Sequence, residues 1–73
     1  MIQQTSGYVV VQGADTLLKV LDRLESIRQT SNITWQQVVV ANEREWWVLW
    51  SSRYSTPAAV EQILIGEGAR AHT

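Results

Sequence analysis

Glu45-Trp46-Trp47-Val48-Leu49-Trp50 is an aromatic run that holds three of the chain's four tryptophans within five residues. Successive side chains of a β-strand point to opposite faces of a sheet. As a strand, this run has Trp46, Val48 and Trp50 on one face and Trp47 and Leu49 on the other. Both faces are then apolar, and we expect helices to cover one and a further molecule to contact the other.

The length of the chain limits how much surface it can bury by itself. Its 73 residues predict one domain spanning 1–73. A domain of this size buries only about 60% of its unfolded surface, so its stability is marginal. The chain has no cysteine, which excludes disulfides and a cysteine-based zinc site. Self-association is the remaining common source of stability, and the sequence therefore predicts a homodimer.

The charge balance argues against strongly charged partners. Charged residues make up 18% of the chain, and six basic against seven acidic residues give a net charge of -1. Electrostatic capture of nucleic acid or of a membrane surface is therefore disfavoured. The first six residues lack the basic start and apolar core of a signal peptide. No apolar run approaches the roughly 18 residues of a membrane span, and a cytoplasmic location is the expectation.

The first half of the chain predicts a strand followed by a helix. Gly7 precedes the strand Tyr8–Gln12, which has apolar side chains on both faces. The helix is expected to begin at a cap on Asp15 or Thr16 and to continue to about Gln29. Its apolar stripe recurs at spacings of three and four and comprises Leu17, Val20, Leu21, Leu24 and Ile27. Asn32 tolerates the left-handed conformation that ends helices.

The second half predicts a hairpin and a shorter helix. The second strand is expected over 33–41, with Ile33, Trp35 and Gln37 on one face and a bulge or twist at Gln37. Residues 42–45 are predicted to form a turn. The third strand is expected to follow over 45–53. Ser55 or Thr56 would cap the second helix, with Pro57 at its first position and Gly66 at its end. Residues 1–6 and 67–73 are expected to be flexible tails.

These elements predict an α+β fold ordered βαββα. Its three-stranded antiparallel sheet would carry two helices on one face, which is the ferredoxin-like pattern without its last strand. The first strand would then have an open edge, and open edges pair with other chains. We expect Trp47 and Leu49 to face the helices and Trp46 and Trp50 to face outward. The predicted partner interface comprises Tyr8, Val10, Trp35, Trp46, Val48 and Trp50.

Catalytic chemistry has little support in these residues. The single histidine, His72, lies next to the end of the chain. Glu43 and Glu45 flank Arg44 in a turn, where carboxylates are normally solvated. Gly66-Glu67-Gly68 follows a helix instead of opening one, so it cannot present backbone N–H groups to a phosphate. The sequence predicts a protein that is not an enzyme and has no catalytic residue, metal site or cofactor.

Aromatic side chains on an uncovered sheet face favour a role in protein binding. Tryptophan and tyrosine are enriched at binding hot spots, because a large rigid side chain buries much area at little entropic cost. We expect a non-catalytic interaction module, a homodimeric regulator or inhibitor that holds or occludes a protein partner. The dimer is expected to form through the uncovered sheet face or the edge of the first strand. Small phage-encoded inhibitors provide an analogy. A single-stranded nucleic-acid binder that stacks bases on its strand tryptophans is an alternative.

A further alternative rests on a resemblance. The strand Tyr8-Val9-Val10-Val11, the helix through Leu17-Leu18-Lys19-Val20-Leu21, and Asn32-Ile33 leading into a strand resemble the layout of small ACT-type regulatory domains over residues 8 to 65. The resemblance implies a domain that senses an amino acid. Gln12-Gly13-Ala14-Asp15 stands where those domains have an Asp-x-x-Gly turn, and no last strand is predicted.

Overall fold

The chain forms one four-stranded antiparallel sheet with two helices. A computed structural model describes residues 4–53 and 57–71. The elements are β1 (Gln4–Gln12), α1 (Ala14–Ser26), β2 (Ile33–Asn42), β3 (Glu45–Arg53), α2 (Pro57–Ile65) and β4 (Arg70–Ala71). The strands lie in the order β2-β3-β1-β4. The predicted α+β class and antiparallel sheet are confirmed, whereas the predicted count of three strands is wrong.

The fourth strand exists because the chain turns back sharply after α2. Gly68 has φ +107°, a backbone conformation that favours glycine. The backbone N–H of Gly68 donates to the Ile65 carbonyl at 3.0 Å, and that of Ala69 donates to the Leu64 carbonyl at 3.2 Å. This turn returns the chain along β1, where Arg70 lies opposite Val10. β4 has only two residues, which are too few to show the alternation of side chains that identifies a strand in a sequence.

The added strand changes the position of β1. β1 lies between β3 and β4, and β4 pairs with Val9 and Val10. The prediction that the first strand has an open edge is therefore wrong at these two residues. Parts of both segments predicted as tails also lie in the sheet, because β1 begins at Gln4 and β4 occupies Arg70–Ala71. The flexibility of 1–6 and 67–73 stays a prediction.

The hydrophobic core lies between the helices and one face of the sheet. It combines strand, helix and turn residues in a single cluster, and its fully buried members are Val9, Val11, Val20, Leu24, Val48, Trp50, Val60 and Leu64. Both helices contribute to this cluster, so they cover the same face, as the sequence predicts. Ala69 also belongs to it, which attaches the segment after α2 to the core.

The ends of α1 differ from their predicted positions. The helix begins at Ala14 with Gly13 as its N-cap, at φ 88° and without a side-chain cap, so the predicted cap at Asp15 or Thr16 is wrong. The N–H of Gly13 donates to the Arg44 carbonyl at 3.0 Å, which joins this turn to the β2–β3 turn. The helix ends at Ser26 instead of Gln29. The left-handed conformation predicted at Asn32 is confirmed by its φ of 52°.

A bulge near the start of β2 decides which side chains share a face. The register shifts between Ile33 and Trp35, so that Ile33 lies opposite Ser52 and Trp35 lies opposite Ser51. Ile33 consequently points into the core and Trp35 points to the other side. The sequence predicted a shared face for these two residues and placed the irregularity at Gln37, and both predictions are wrong. The predicted cap of α2 at Ser55 or Thr56 lies outside the described residues.

Candidate interaction surface

The helix-covered face of the sheet holds three residues that were predicted to face outward. Val48 and Trp50 are completely buried, and Trp46 is partly buried. The predicted orientation of the tryptophan strand is therefore wrong. Trp50 lies directly opposite Gly7 on β1. Because Gly7 has no side chain, the sheet leaves room at this pair for a large indole.

The buried indole of Trp50 also carries an unsatisfied polar group. Its Nε1–H has no hydrogen-bond acceptor among the described residues. An unsatisfied buried donor costs about 1–3 kcal/mol. The stabilisation from burying the whole ring must exceed this cost, so Trp50 is a structural residue.

The opposite face of the sheet is not covered by helices and is called the open face here. Its apolar side chains are Tyr8, Val10, Trp35, Val39, Trp47 and Leu49, and the polar Gln37 lies among them opposite Leu49. The cross-strand pairs Tyr8–Leu49, Val10–Trp47 and Val39–Trp47 place these residues side by side. The apolar patch is continuous across β1 and β3 and reaches Val39 of β2, where Gln37 separates Val39 from Trp35.

Two tryptophans on the open face remain accessible to solvent. Trp35 is 48% exposed and Trp47 is 39% exposed. The rings of Tyr8 and Trp47 lie with their centroids 5.5 Å apart and their planes tilted by 33°, a geometry in which aromatic pairs attract each other. Tyr8, Leu49 and Trp35 also line a shallow depression of about 370 Å³. The patch therefore offers flat rings beside a concave site.

Charged side chains lie only at the margins of the open face among the described residues. Arg70 is opposite Val10 at the β4 margin, and Arg53 stands at the end of β3. At the opposite end of the β1–β3 pair, the Nε2 of Gln12 donates to Oε1 of Glu45 at 3.3 Å. The centre of the patch is apolar and its rim is polar, which is the usual organisation of a protein interface.

The sequence-predicted interface is divided between the two faces. Tyr8, Val10 and Trp35 lie on the open face, whereas Trp46, Val48 and Trp50 lie on the helix side. Sequence reasoning missed Trp47, Leu49 and Val39. Gly7 carried a usable signal, since a strand glycine favours a bulky neighbour across the sheet. To use that signal one must know that Gly7 lies opposite Trp50, and this pairing of β1 with β3 cannot be derived from the sequence.

A smaller apolar area lies on the helix side of β2 and is called the β2 shelf here. It consists of Val38 and Val40, which are 38% and 71% exposed. Their pairing with Val48 and Trp46 places them on the helix side. Both helices make their main sheet contacts with β1, so the shelf lies beyond the cover that they provide.

The described residues hold no group of three or more potential metal-ligating side chains. Glu43 and Arg44 are exposed in the two-residue turn between β2 and β3. His72 lies outside the described residues. Neither helix in the described ranges has the length and apolar character needed to cross a membrane.

No protein-family model matches the chain, and no curated protein or solved structure matches it significantly.

Proposed function

We propose that the protein is a non-catalytic protein-interaction module of the cytoplasm, acting as a homodimeric regulator or inhibitor that occludes a protein partner. The observation that carries the proposal is the open face, where Trp35 and Trp47 remain exposed beside Tyr8. Contiguous apolar patches of this kind mark binding sites on soluble proteins. The partner is expected to present an apolar surface of its own.

The physical basis is the free energy available from burying these rings. Full burial of a large apolar side chain contributes about 1.5–3 kcal/mol. Roughly half of this free energy is still available at Trp35 and at Trp47, because each side chain is already partly buried in the single chain. The Tyr8–Trp47 contact also holds both rings in place, which lowers the entropy lost on binding. A few such anchors commonly dominate the affinity of an interface.

The topology supports a ferredoxin-like arrangement with a short last strand. The described elements follow the order βαββαβ, and read from the other edge the strands lie as β4-β1-β3-β2. Helices then occupy one face and leave the other available. We propose this arrangement as the reason that the open face exists, since both helical crossovers cover the same side of the sheet.

Affinity capture from the native host tests the proposed role. The wild-type chain and a Trp47→Ala variant serve as paired baits, and the variant is expected to lose the partner through at least about thirtyfold weaker binding, the threshold of a hot spot. Leu18→Ala is the matched control, because Leu18 is 66% exposed on α1 and away from the open face. Equal recovery of partners by all three baits would remove the open face as the binding site.

Single-stranded nucleic acid is a second candidate partner, favoured by a specific observation. Tyr8 and Trp47 lie on the two central strands of a four-stranded sheet, and stacking on such rings is how one RNA-binding module holds bases. β4 places Arg70 on the same face of the sheet as Arg53 of β3, so two cations lie at the margin of the open face. The net charge of -1 still provides little electrostatic attraction.

Oligonucleotide titration at two salt concentrations separates this candidate from the first. If bases stack on the open face, a fluorescent single strand binds at low salt, quenches tryptophan emission and is released as salt rises. Arg70→Gln should then weaken binding severalfold, whereas Lys19→Gln at an exposed position of α1, on the helix side of the sheet, should not. Absence of binding at low salt eliminates the candidate.

The amino-acid-sensing alternative has less support. The depression beside the β1–α1 turn is lined by Gln12, Gly13, Asn42, Arg44 and Glu45. Its side chains are exposed or half-buried. A small polar ligand normally requires buried, pre-positioned polar groups, and this depression does not supply them.

A further inference from the structure

The β2 strand lies at the edge of the sheet. Within the described ranges 4–53 and 57–71, β2 pairs with β3 alone. Every second residue of such a strand directs its backbone N–H and C=O groups away from the sheet. A strand of ten residues therefore presents a row of donors and acceptors about 34 Å long.

This edge lacks the usual protection against pairing. Natural edge strands carry charged residues or prolines that discourage association. Ile33–Asn42 contains neither. Irregular register occurs only near its two ends, between Ile33 and Trp35 and between Val40 and Asn42. The segment from Gln36 to Val40 is consequently a regular, uncharged edge.

The side chains of β2 have the pattern of a central strand. Val39 and Trp35 lie on the open face, and Val38 and Val40 form the β2 shelf on the helix side. Strands that are apolar on both faces normally have neighbours on both sides and cover on both faces. Val38, Val39 and Val40 give the centre of β2 apolar side chains on both faces, next to the polar Gln36 and Gln37, so this part of the strand is suited to a second neighbouring strand.

We propose that a second copy of the chain pairs antiparallel with β2, joining the two sheets into one continuous sheet. The inference rests on the homodimeric state proposed above and assigns its interface. A second copy fits because the edge is self-complementary: it is uncharged, it presents valines on both faces, and antiparallel pairing about a two-fold axis satisfies both copies equally.

Geometry limits the possible registers. A two-fold axis perpendicular to the sheet keeps both helix layers on the same side, so residues directly opposite each other must belong to the same face. The axis must then pass midway between one residue and the same residue of the second copy, and the centre of the regular segment is Val38. This register sets Val38 opposite Val38 of the second copy and Gln36 opposite Val40.

The proposed pairing covers the surfaces that the single chain leaves exposed. The two Val38 side chains meet across the axis and each Val40 lies beside Gln36 of the second copy, which reduces the exposure of both valines in each copy. On the other side the two open faces become continuous, so a partner could contact Trp35 and Trp47 of both copies. The dimer seam and the proposed partner surface remain distinct sets of residues.

Single-cysteine variants test the register, because the chain has no cysteine of its own. Directly opposite Cα atoms lie about 4.5–5.5 Å apart, within the range of a disulfide. Val38→Cys is therefore expected to form a covalent dimer under mild oxidation. Val40→Cys is the matched control, since its two copies would lie about 14 Å apart along the strands. Equal cross-linking of both variants, or of neither, overturns the proposed register.

Charge variants test the interface without a covalent bond. Val38→Lys and Val38→Glu each place like charges opposite one another, so each is expected to weaken dimerisation at least about tenfold. An equimolar mixture of the two should restore a dimer. Leu18→Lys adds the same charge on α1 and should leave dimerisation unchanged. Circular dichroism confirms that each variant is folded, and analytical ultracentrifugation measures assembly.

The outcomes separate this inference from the proposed function. A wild-type chain that sediments as an 8.3 kDa monomer at high micromolar concentration overturns the β2 interface. The same result does not affect partner capture through Trp47. Conversely, Trp47→Ala should lose the partner and still dimerise, because Trp47 lies on β3 and outside the proposed seam.

Discussion

Replacing Trp50 with alanine is expected to unfold most of the chain. Trp50 is completely buried between the sheet and the helices. Truncating a buried aromatic residue costs about 3–5 kcal/mol, through lost burial and the cavity left behind. Native domains have only about 5–15 kcal/mol of stability, with small domains at the lower end. Urea denaturation followed by circular dichroism measures the loss directly.

Trp47→Ala is the matched control, because it removes the same side chain from the adjacent face of the same strand. Trp47 is 39% exposed and packs partly against Tyr8, so its loss should cost about 1–2 kcal/mol. A loss of similar size at both positions would show that both faces are equally covered. The open face, and with it the proposed function, would then have no structural basis.

Trp50→Phe distinguishes the ring from its polar group. Phenylalanine leaves a smaller cavity and removes the unsatisfied N–H, so part of the burial loss is offset. We therefore expect a smaller destabilisation than that of Trp50→Ala. The comparison would show how much the buried donor costs the folded chain.

The sequence predicted the larger elements because their signals are local. The third strand was expected over 45–53 and spans those residues. Pro57 was expected at the first position of the second helix and occupies it. The apolar stripe of α1 also identified Val20 and Leu24 as core residues. Alternation, proline geometry and three-to-four spacing each depend on neighbouring residues alone.

The orientation of the tryptophan strand could not be predicted in the same way. Alternation shows that Trp47 and Trp50 lie on opposite faces, but it does not show which face the helices cover. That choice depends on the pairing of β3 with β1, which places Trp50 beside Gly7. Cross-strand register is a long-range property and carries no local pattern. The bulge after Ile33 reversed the face of Trp35 for the same reason.

The fourth strand was missed because its stabilising contacts are not visible as a strand signal. Arg70–Ala71 is too short to show alternation. What fixes the segment is the turn before it, where Gly68 adopts φ +107° and has Thr16 of α1 close by. A Cβ at Gly68 would lie 3.1 Å from the Thr16 Cγ2. Close approach of the turn to α1 therefore requires glycine, and this requirement depends on tertiary structure.

The sharpest test of that attachment is a charge placed at Ala69. Ala69 is 5% exposed and belongs to the core cluster, so Ala69→Asp would bury a carboxylate without a partner. We expect it to lower the free energy of unfolding by at least about 2 kcal/mol. Ala71→Asp is the matched control, because Ala71 is exposed two residues further along, and it should change stability by no more than about 0.5 kcal/mol.

Chemical denaturation of both variants beside the wild type provides the comparison. If residues 67–71 were a flexible tail, the aspartate at position 69 would enter solvent and both substitutions would be equally harmless. That result would return β1 to the edge of a three-stranded sheet, with the backbone of Val9 and Val10 available for pairing. A selective loss at Ala69 instead keeps β1 inside the sheet and leaves β2 as the long edge through which a second copy can pair.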